Sequence, residues 1–167
     1  MNRIHVIGTS GSGKSTLALK IADRLKIDYI PTDPIFWQKG WFATPSAQVT
    51  KMAHELFARD RYAMDGNFDN LRDSVWRRAD CIVWLDYPFM LVISRVAKRN
   101  LQWWITGAET WSNNRMTLKR ALSGIQYSAQ SYHRKKLLYP RVLAEMNQTE
   151  IVRLKNPMGA DAWLRNL

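Results

Sequence analysis

The chain predicts a single α/β domain built on a five-stranded parallel sheet, and three observations carry that prediction. Five short β-rich runs alternate with segments of helical periodicity, the pattern of parallel strands joined by crossover helices. The first run, Ile4-His5-Val6-Ile7, leads straight into the glycine-rich stretch Gly8-Thr9-Ser10-Gly11-Ser12-Gly13-Lys14-Ser15-Thr16. No repeat, low-complexity tract or linker divides the 167 residues, of which 46% are hydrophobic. That is enough for a substantial core.

Strand one spans about Arg3–Ile7. A helix follows from Lys14, with Leu17, Ile21 and Leu25 four apart on one face. Asp28-Tyr29-Ile30-Pro31 is a short second strand. The next helix begins after Ser46, read as its N-cap, and carries Val49, Met52, Ala53, Leu56 and Phe57 in the i, i+3, i+4, i+7, i+8 pattern. Tyr62-Ala63-Met64 makes a third strand and Cys81–Asp86 a fourth, the most apolar of the set. Pro88 starts a helix over Phe89–Trp104 that breaks near Gly107. Two further helical segments are expected over about Arg115–Ile125 and Ser128–Met146. Glu150–Leu154 gives the fifth strand and Ala160–Leu167 a terminal helix.

No apolar run approaches the length of a membrane span. The glycine-rich stretch begins at Gly8 and leaves no room before it for a signal peptide, so the expectation is a cytoplasmic protein. The one cysteine, Cys81, lies in the run Cys81-Ile82-Val83-Trp84-Leu85 and reads as a buried strand residue rather than a nucleophile. Charge is uneven. The net value is +11, and the segment from Arg95 to Arg141 holds ten Lys/Arg against one acid, Glu109. A basic half of this kind serves nucleic acid, or binds a polyphosphate from several sides.

Gly8 to Thr16 fits G-x-x-x-x-G-K-[ST] in the strand-to-helix setting the motif requires. Its glycines let successive N–H groups turn toward phosphate oxygens, and the following helix adds its unpaired first-turn N–H groups. Lys14 would reach the β- and γ-phosphates of a nucleoside triphosphate, and the Ser15 hydroxyl would take a place on Mg²⁺. Ligands in such sheets bind outside the carboxyl ends of the strands. Asp33, Asp65-Gly66-Asn67, Asp86 and Lys155-Asn156-Pro157 fall there. Asp65 closes the strand expected beside the P-loop strand and is the first candidate for holding Mg²⁺. Its alternative is a turn residue. Asp33 is expected to contact an acceptor or a metal-bound water, or else to cap a turn; Asp86 is expected mainly to cap the helix that follows it. Arg95 and Arg99, four apart, share a helix face, expected to be a clamp for phosphate charge or else a solvated basic face, with Arg120, Arg134, Lys135 and Lys136 as further cations from the same half. Trp37, Gly40 and Trp41 lie in an aromatic loop that covers an acceptor or packs as an apolar lid. The irregular stretch Trp103–Trp111 is a candidate lid that excludes water.

In this order, these residues resemble the adenylate-kinase-like branch of P-loop kinases, and within it the small proteins known as DNA topology modulation proteins. Thr32-Asp33 resembles the acceptor-side turn of that branch. Asp65-Gly66-Asn67-Phe68 resembles its Asp-Gly-Phe-Pro-Arg motif with the first two residues kept, which leaves Arg72 as a substitute for the arginine and Asn67 beside the acceptor. Asp86-Tyr87-Pro88 followed by Arg95 and Arg99 is similar to the stretch leading into the lid. Leu154-Lys155-Asn156-Pro157 resembles the loop that packs against adenine. The resemblance implies a P-loop NTPase fold with an acceptor-side segment near residues 33–60 and a helical lid near 100–135. It implies ATP and Mg²⁺ as cofactors and a phosphotransferase acting on a small acceptor, nucleotides included. The replaced Phe-Pro-Arg and the short, aromatic acceptor segment argue against AMP. The alternative is an ATP-binding regulatory protein that contacts DNA through the basic half.

Overall fold

The computed structural model describes all 167 residues. β1 (Arg3–Gly8) is the central strand, with β3 (Tyr62–Asp65) on one side and β4 (Cys81–Leu85) on the other. β2 (Asp28–Pro31) lies outside β3, and β5 (Glu150–Leu154) outside β4, giving the order β2-β3-β1-β4-β5. Every pairing is parallel, with Val6 opposite Asp65 and Gly8 opposite Leu85. The strand order turns back across β1 between β3 and β4, so a crevice opens at the carboxyl end of β1.

Side chains alternate along each strand, and helices bury both faces. α1 (Lys14–Leu25), α5 (Phe89–Thr106) and α7 (Pro157–Arg165) cover the face carrying Ile4, Val6, Cys81 and Val83. α3 (Ser46–Leu56), α4 (Arg72–Val75) and the second half of α6 (Leu118–Ala144) cover the face carrying Ile7, Met64, Ile82 and Trp84. A short α2 (Asp33–Phe36), absent from the sequence reading, follows β2 directly. Cys81 is buried as expected, its thiol pushed up to about 12 chiefly by burial.

Three expectations need correction. The segments 115–125 and 128–146 are one helix of 27 residues, α6. Nothing between them breaks it, and Gly124 within it packs closely on α5: a Cβ at that position would come 2.8 Å from Asn100 Nδ2. Second, Pro45 rather than Ser46 holds the N-cap position of α3, with no side-chain cap, and α7 begins at Pro157 with Asn156 Oδ1 accepting from Gly159 N at 2.7 Å.

Third, Asp86 does not cap α5. Its carboxylate accepts from Lys136 Nζ on α6 at 2.7 and 2.8 Å and from Arg153 Nη2 on β5 at 2.6 Å. Arg153 also lies over the Trp84 ring, 4.4 Å from its centre. The carboxylate is 4% exposed while its cations are about two-fifths exposed, so it staples β4, β5 and α6 together. Asp86→Ala should cost about 2 kcal/mol, since charge-assisted bonds are lost but both cations can rehydrate. Urea unfolding checks this, and a change below a few tenths of a kcal/mol would show the staple to be idle.

Candidate active site

The loop after β1 is shaped by contact with α5. A Cβ on Gly11 would strike the Val92 carbonyl and come 2.7 Å from Val96 Cγ2, so only glycine lets the two backbones meet. Gly13 holds φ at 93° as N-cap of α1, which has no side-chain cap and no acid in its first turn. The N-terminus of α1 is therefore free for an anion. Ser10 to Thr16 line a cavity of about 1660 Å³. Gly8 and Thr9 do not reach it: Gly8 N donates to Asn67 Oδ1 at 2.9 Å, and the Thr9 carbonyl accepts from Lys14 Nζ at 3.2 Å. Ser12 Oγ is buried without a partner, a polar atom left for a ligand in this cradle.

Val92, Arg95, Val96 and Arg99 form one stripe of α5. Packing the valines on the P-loop therefore hangs both arginines over it. Arg95 Nη1 would lie 3.9 Å from a Cβ on Gly13, and its guanidinium rests 5.9 Å from the Tyr87 ring centre. Arg99 Nη2 donates to Ser10 Oγ at 3.2 Å, and the guanidinium sits 4.8 Å from the Trp103 ring centre. Both arginines line the cavity. Burial pulls Arg99 below its ordinary value, opposed by Asp33. Burial likewise lowers Lys14, opposed by Asp33, Asp65 and Asp69. Asp33 is pushed up by burial and by Asp65, against the pull of Lys14 and Arg99. Lys14 has no carboxylate within ion-pair distance, and the Thr9 carbonyl takes only one of its three donor positions.

Of the acceptor-side residues expected from sequence, Asp33, Trp37 and Asn67 line the cavity, as do Arg134 and Pro157. Three others do not. Asp65 is 3% exposed, and its Oδ1 accepts from Thr32 N at 3.0 Å. Arg72 lies outside the cavity wall, 6.0 Å from the Trp76 ring centre; its helix α4 turns it onto that ring. Asn156 is spent on the α7 cap. For Mg²⁺, Ser15 and Asp33 are at the cavity and Asp65 is beneath it. No group of three or more His, Cys, Asp or Glu converges.

Sequence reasoning missed Asp69 and gave Lys135 no role of its own. Asp69 accepts from Tyr139 OH at 2.9 Å and lies 3.4 Å from Lys135 Nζ and 3.7 Å from Arg134 Nη2. The signal was present in α6. Ala121, Ser128, Ser131, Lys135, Tyr139 and Leu143 recur every three, four or seven residues and form its buried stripe.

No family model matches the sequence, and no curated protein does. Solved structures do. Shikimate kinase from Acinetobacter baumannii in complex with shikimate is 15% identical, with a TM-score of 0.61 over 99% of this chain and 90% of that one. A gluconokinase from Sinorhizobium meliloti is 18% identical, with a TM-score of 0.56 over 99% and 92%. Shikimate kinase from Bacteroides thetaiotaomicron is 16% identical, with a TM-score of 0.58 over 99% and 95%. The fold is the α/β P-loop NTPase fold, in the form these small kinases share.

Lys135 supplies a pH test. Burial brings its pKa down to about 8, against the opposing pull of Asp69. Between about pH 8 and the ordinary lysine value of 10.5, the unfolded chain then holds more protons than the folded one. Stability therefore rises with pH across that window. Relative to Lys135→Met, the wild type should gain on the order of 1 kcal/mol between pH 8 and pH 10. Urea unfolding of both proteins at each pH measures it, and a gap constant with pH contradicts the burial.

Proposed function

We propose that this protein is a Mg-ATP-dependent phosphotransferase that moves the γ-phosphoryl group onto a hydroxyl of a small acceptor. One observation carries the reading: a P-loop whose lysine has no ion-pair partner, two arginines from α5 and a half-buried aspartate, Asp33, open into one cavity. Its volume of about 1660 Å³ exceeds the roughly 300–1,000 Å³ of a pocket for one ligand and leaves room for nucleotide and acceptor together. The naming of the structural neighbours as kinases of shikimate and gluconate points the same way.

The acceptor oxygen would attack the γ-phosphorus as the bond to the β–γ bridging oxygen breaks, and Asp33 would take the hydroxyl proton. Lys14, Arg95 and Arg99 would stabilise the charge that spreads over the phosphoryl oxygens, with Arg134 nearby. Ser15 and Asp33, with Asp65 behind them, would hold Mg²⁺, which supplies charge neutralisation at the phosphates. Six of the ten cations between Arg95 and Arg141 line the cavity: Arg95, Arg99, Lys119, Arg120, Arg134 and Lys135. That placement favours an anionic ligand held from several sides over DNA on an outer face. No helix is long and apolar enough to cross a membrane, and we place the reaction in the cytoplasm.

A screen of hydroxyl acceptors with labelled ATP tests the reading. Transfer is expected to a small polyol, nucleoside or nucleotide. Mg-ATP at 100 times its dissociation constant should stabilise the wild type by ~2.7 kcal/mol and Lys14→Ala far less. Arg99→Ala should lower kcat by about 10³-fold. Absence of transfer to any acceptor, together with DNA binding that falls steeply with salt, would favour the regulatory alternative.

A further inference from the structure

Two loops cover the cavity, and one buried asparagine fastens them. The acceptor-side loop runs through Lys39–Trp41 and the lid loop through Trp111–Asn113; the bridges Trp37 to Ala43 and Glu109 to Arg115 close each at its base. Asn114 is 3% exposed. Its Oδ1 accepts from Gly40 N at 2.7 Å and Trp41 N at 3.0 Å. Its Nδ2 donates to the Gln38 carbonyl at 3.0 Å and the Trp111 carbonyl at 2.8 Å. All four bonding positions of the carboxamide are thus used, three of them on the opposite loop. Trp41 Nε1 adds a bond to the Arg115 carbonyl at 3.0 Å, and the Ser112 hydroxyl donates to the Trp37 carbonyl.

The backbone here is strained. Trp41, Ser112 and Asn113 hold φ at 62°, 56° and 55°, a region that side-chain-bearing residues rarely occupy. Such conformations persist where surrounding bonds over-determine them. The fastened loops also reach the P-loop. Trp41 lies 6.3 Å from Trp111 and Trp111 lies 5.3 Å from Trp103, ring centre to ring centre. The Arg99 guanidinium rests on Trp103 and Trp111 while it donates to Ser10.

We propose that Asn114 is a positioning residue that joins the acceptor-side loop and the lid loop into one cover and, through Trp111, sets Arg99 against the P-loop. The catalytic consequence rests on the phosphotransferase reading, whereas the joining of the loops does not. An acceptor would enter only when the whole cover lifts. Nucleotide held by Ser10 to Thr16 would feel the fastening only through Arg99, which acts mainly on the charge that develops during transfer.

Hydrogen exchange resolved by residue tests the joining without any acceptor. In the wild type, the N–H groups of Gly40 and Trp41 should open at the same rate as Thr110 and Asn114, with the same denaturant dependence. In Asn114→Ala all four should lose at least tenfold protection, while β1 and β4 amides keep theirs. Asn114→Asp should do no better, because a carboxylate would face the Gln38 and Trp111 carbonyls. Independent opening in the wild type, loss confined to one loop, or full protection in Asn114→Asp overturns the proposal. With an acceptor in hand, Asn114→Ala should lower kcat at least tenfold and leave KM for ATP within threefold; a raised KM for ATP with unchanged kcat also overturns it. If no acceptor supports turnover in the wild type, the phosphotransferase reading falls and exchange alone decides the joining.

Discussion

The backbone contact between Gly11 and α5 at Val92 is the constraint on which the rest of the site depends. It requires a residue without a side chain, and it fixes the height and rotation of α5 over the loop. Once Val92 and Val96 are seated there, helical spacing puts Arg95 and Arg99 on the same stripe, directly above the cradle. The sheet supplies the other half of the geometry. With β1 central, the carboxyl ends of β3 and β4 flank the loop; β3 brings Asn67 onto Gly8, and β2 beside it brings Asp33 to the cavity.

Charge follows the same plan. Lys14 sits among the fields of Asp33, Asp65 and Asp69 without a direct ion pair, and burial lowers its pKa. Six of the ten cations of the basic half line the cavity, with Lys135 buried, Arg99 partly buried and the other four exposed, and Lys136 is tied up with Asp86. Lys14, Arg99 and Lys135 are the desolvated cations of the cavity, and charges so placed act more strongly on an anion than they would in water.

Much of this was legible in the sequence because it is encoded locally. The strands, the P-loop and the Arg95–Arg99 pair follow from runs and spacings within a few residues. What was missed depends on contacts between distant segments. Asp86 reads locally as a helix start, yet its partners lie 50 and 67 residues away. Residues 115–125 and 128–146 read as two helices, yet they form one, with Asn100 of α5 packed against Gly124. Arg72 occupies the right place in order but the wrong place in space, because α4 turns it onto Trp76. Asn114 carries little local signal, since three of its four carboxamide bonds are made 73 to 76 residues away.

The central claim is that the P-loop, the α5 arginines and the acceptor side form one phosphoryl-transfer site. A crystal structure with Mg²⁺ and a non-hydrolysable ATP analogue tests it most directly. The triphosphate should lie along Ser10 to Thr16, with Lys14 and Arg99 on the γ-phosphate and that phosphate facing Asp33 inside the cavity. A nucleotide bound elsewhere, or a γ-phosphate turned away from Asp33 into bulk solvent, would contradict it.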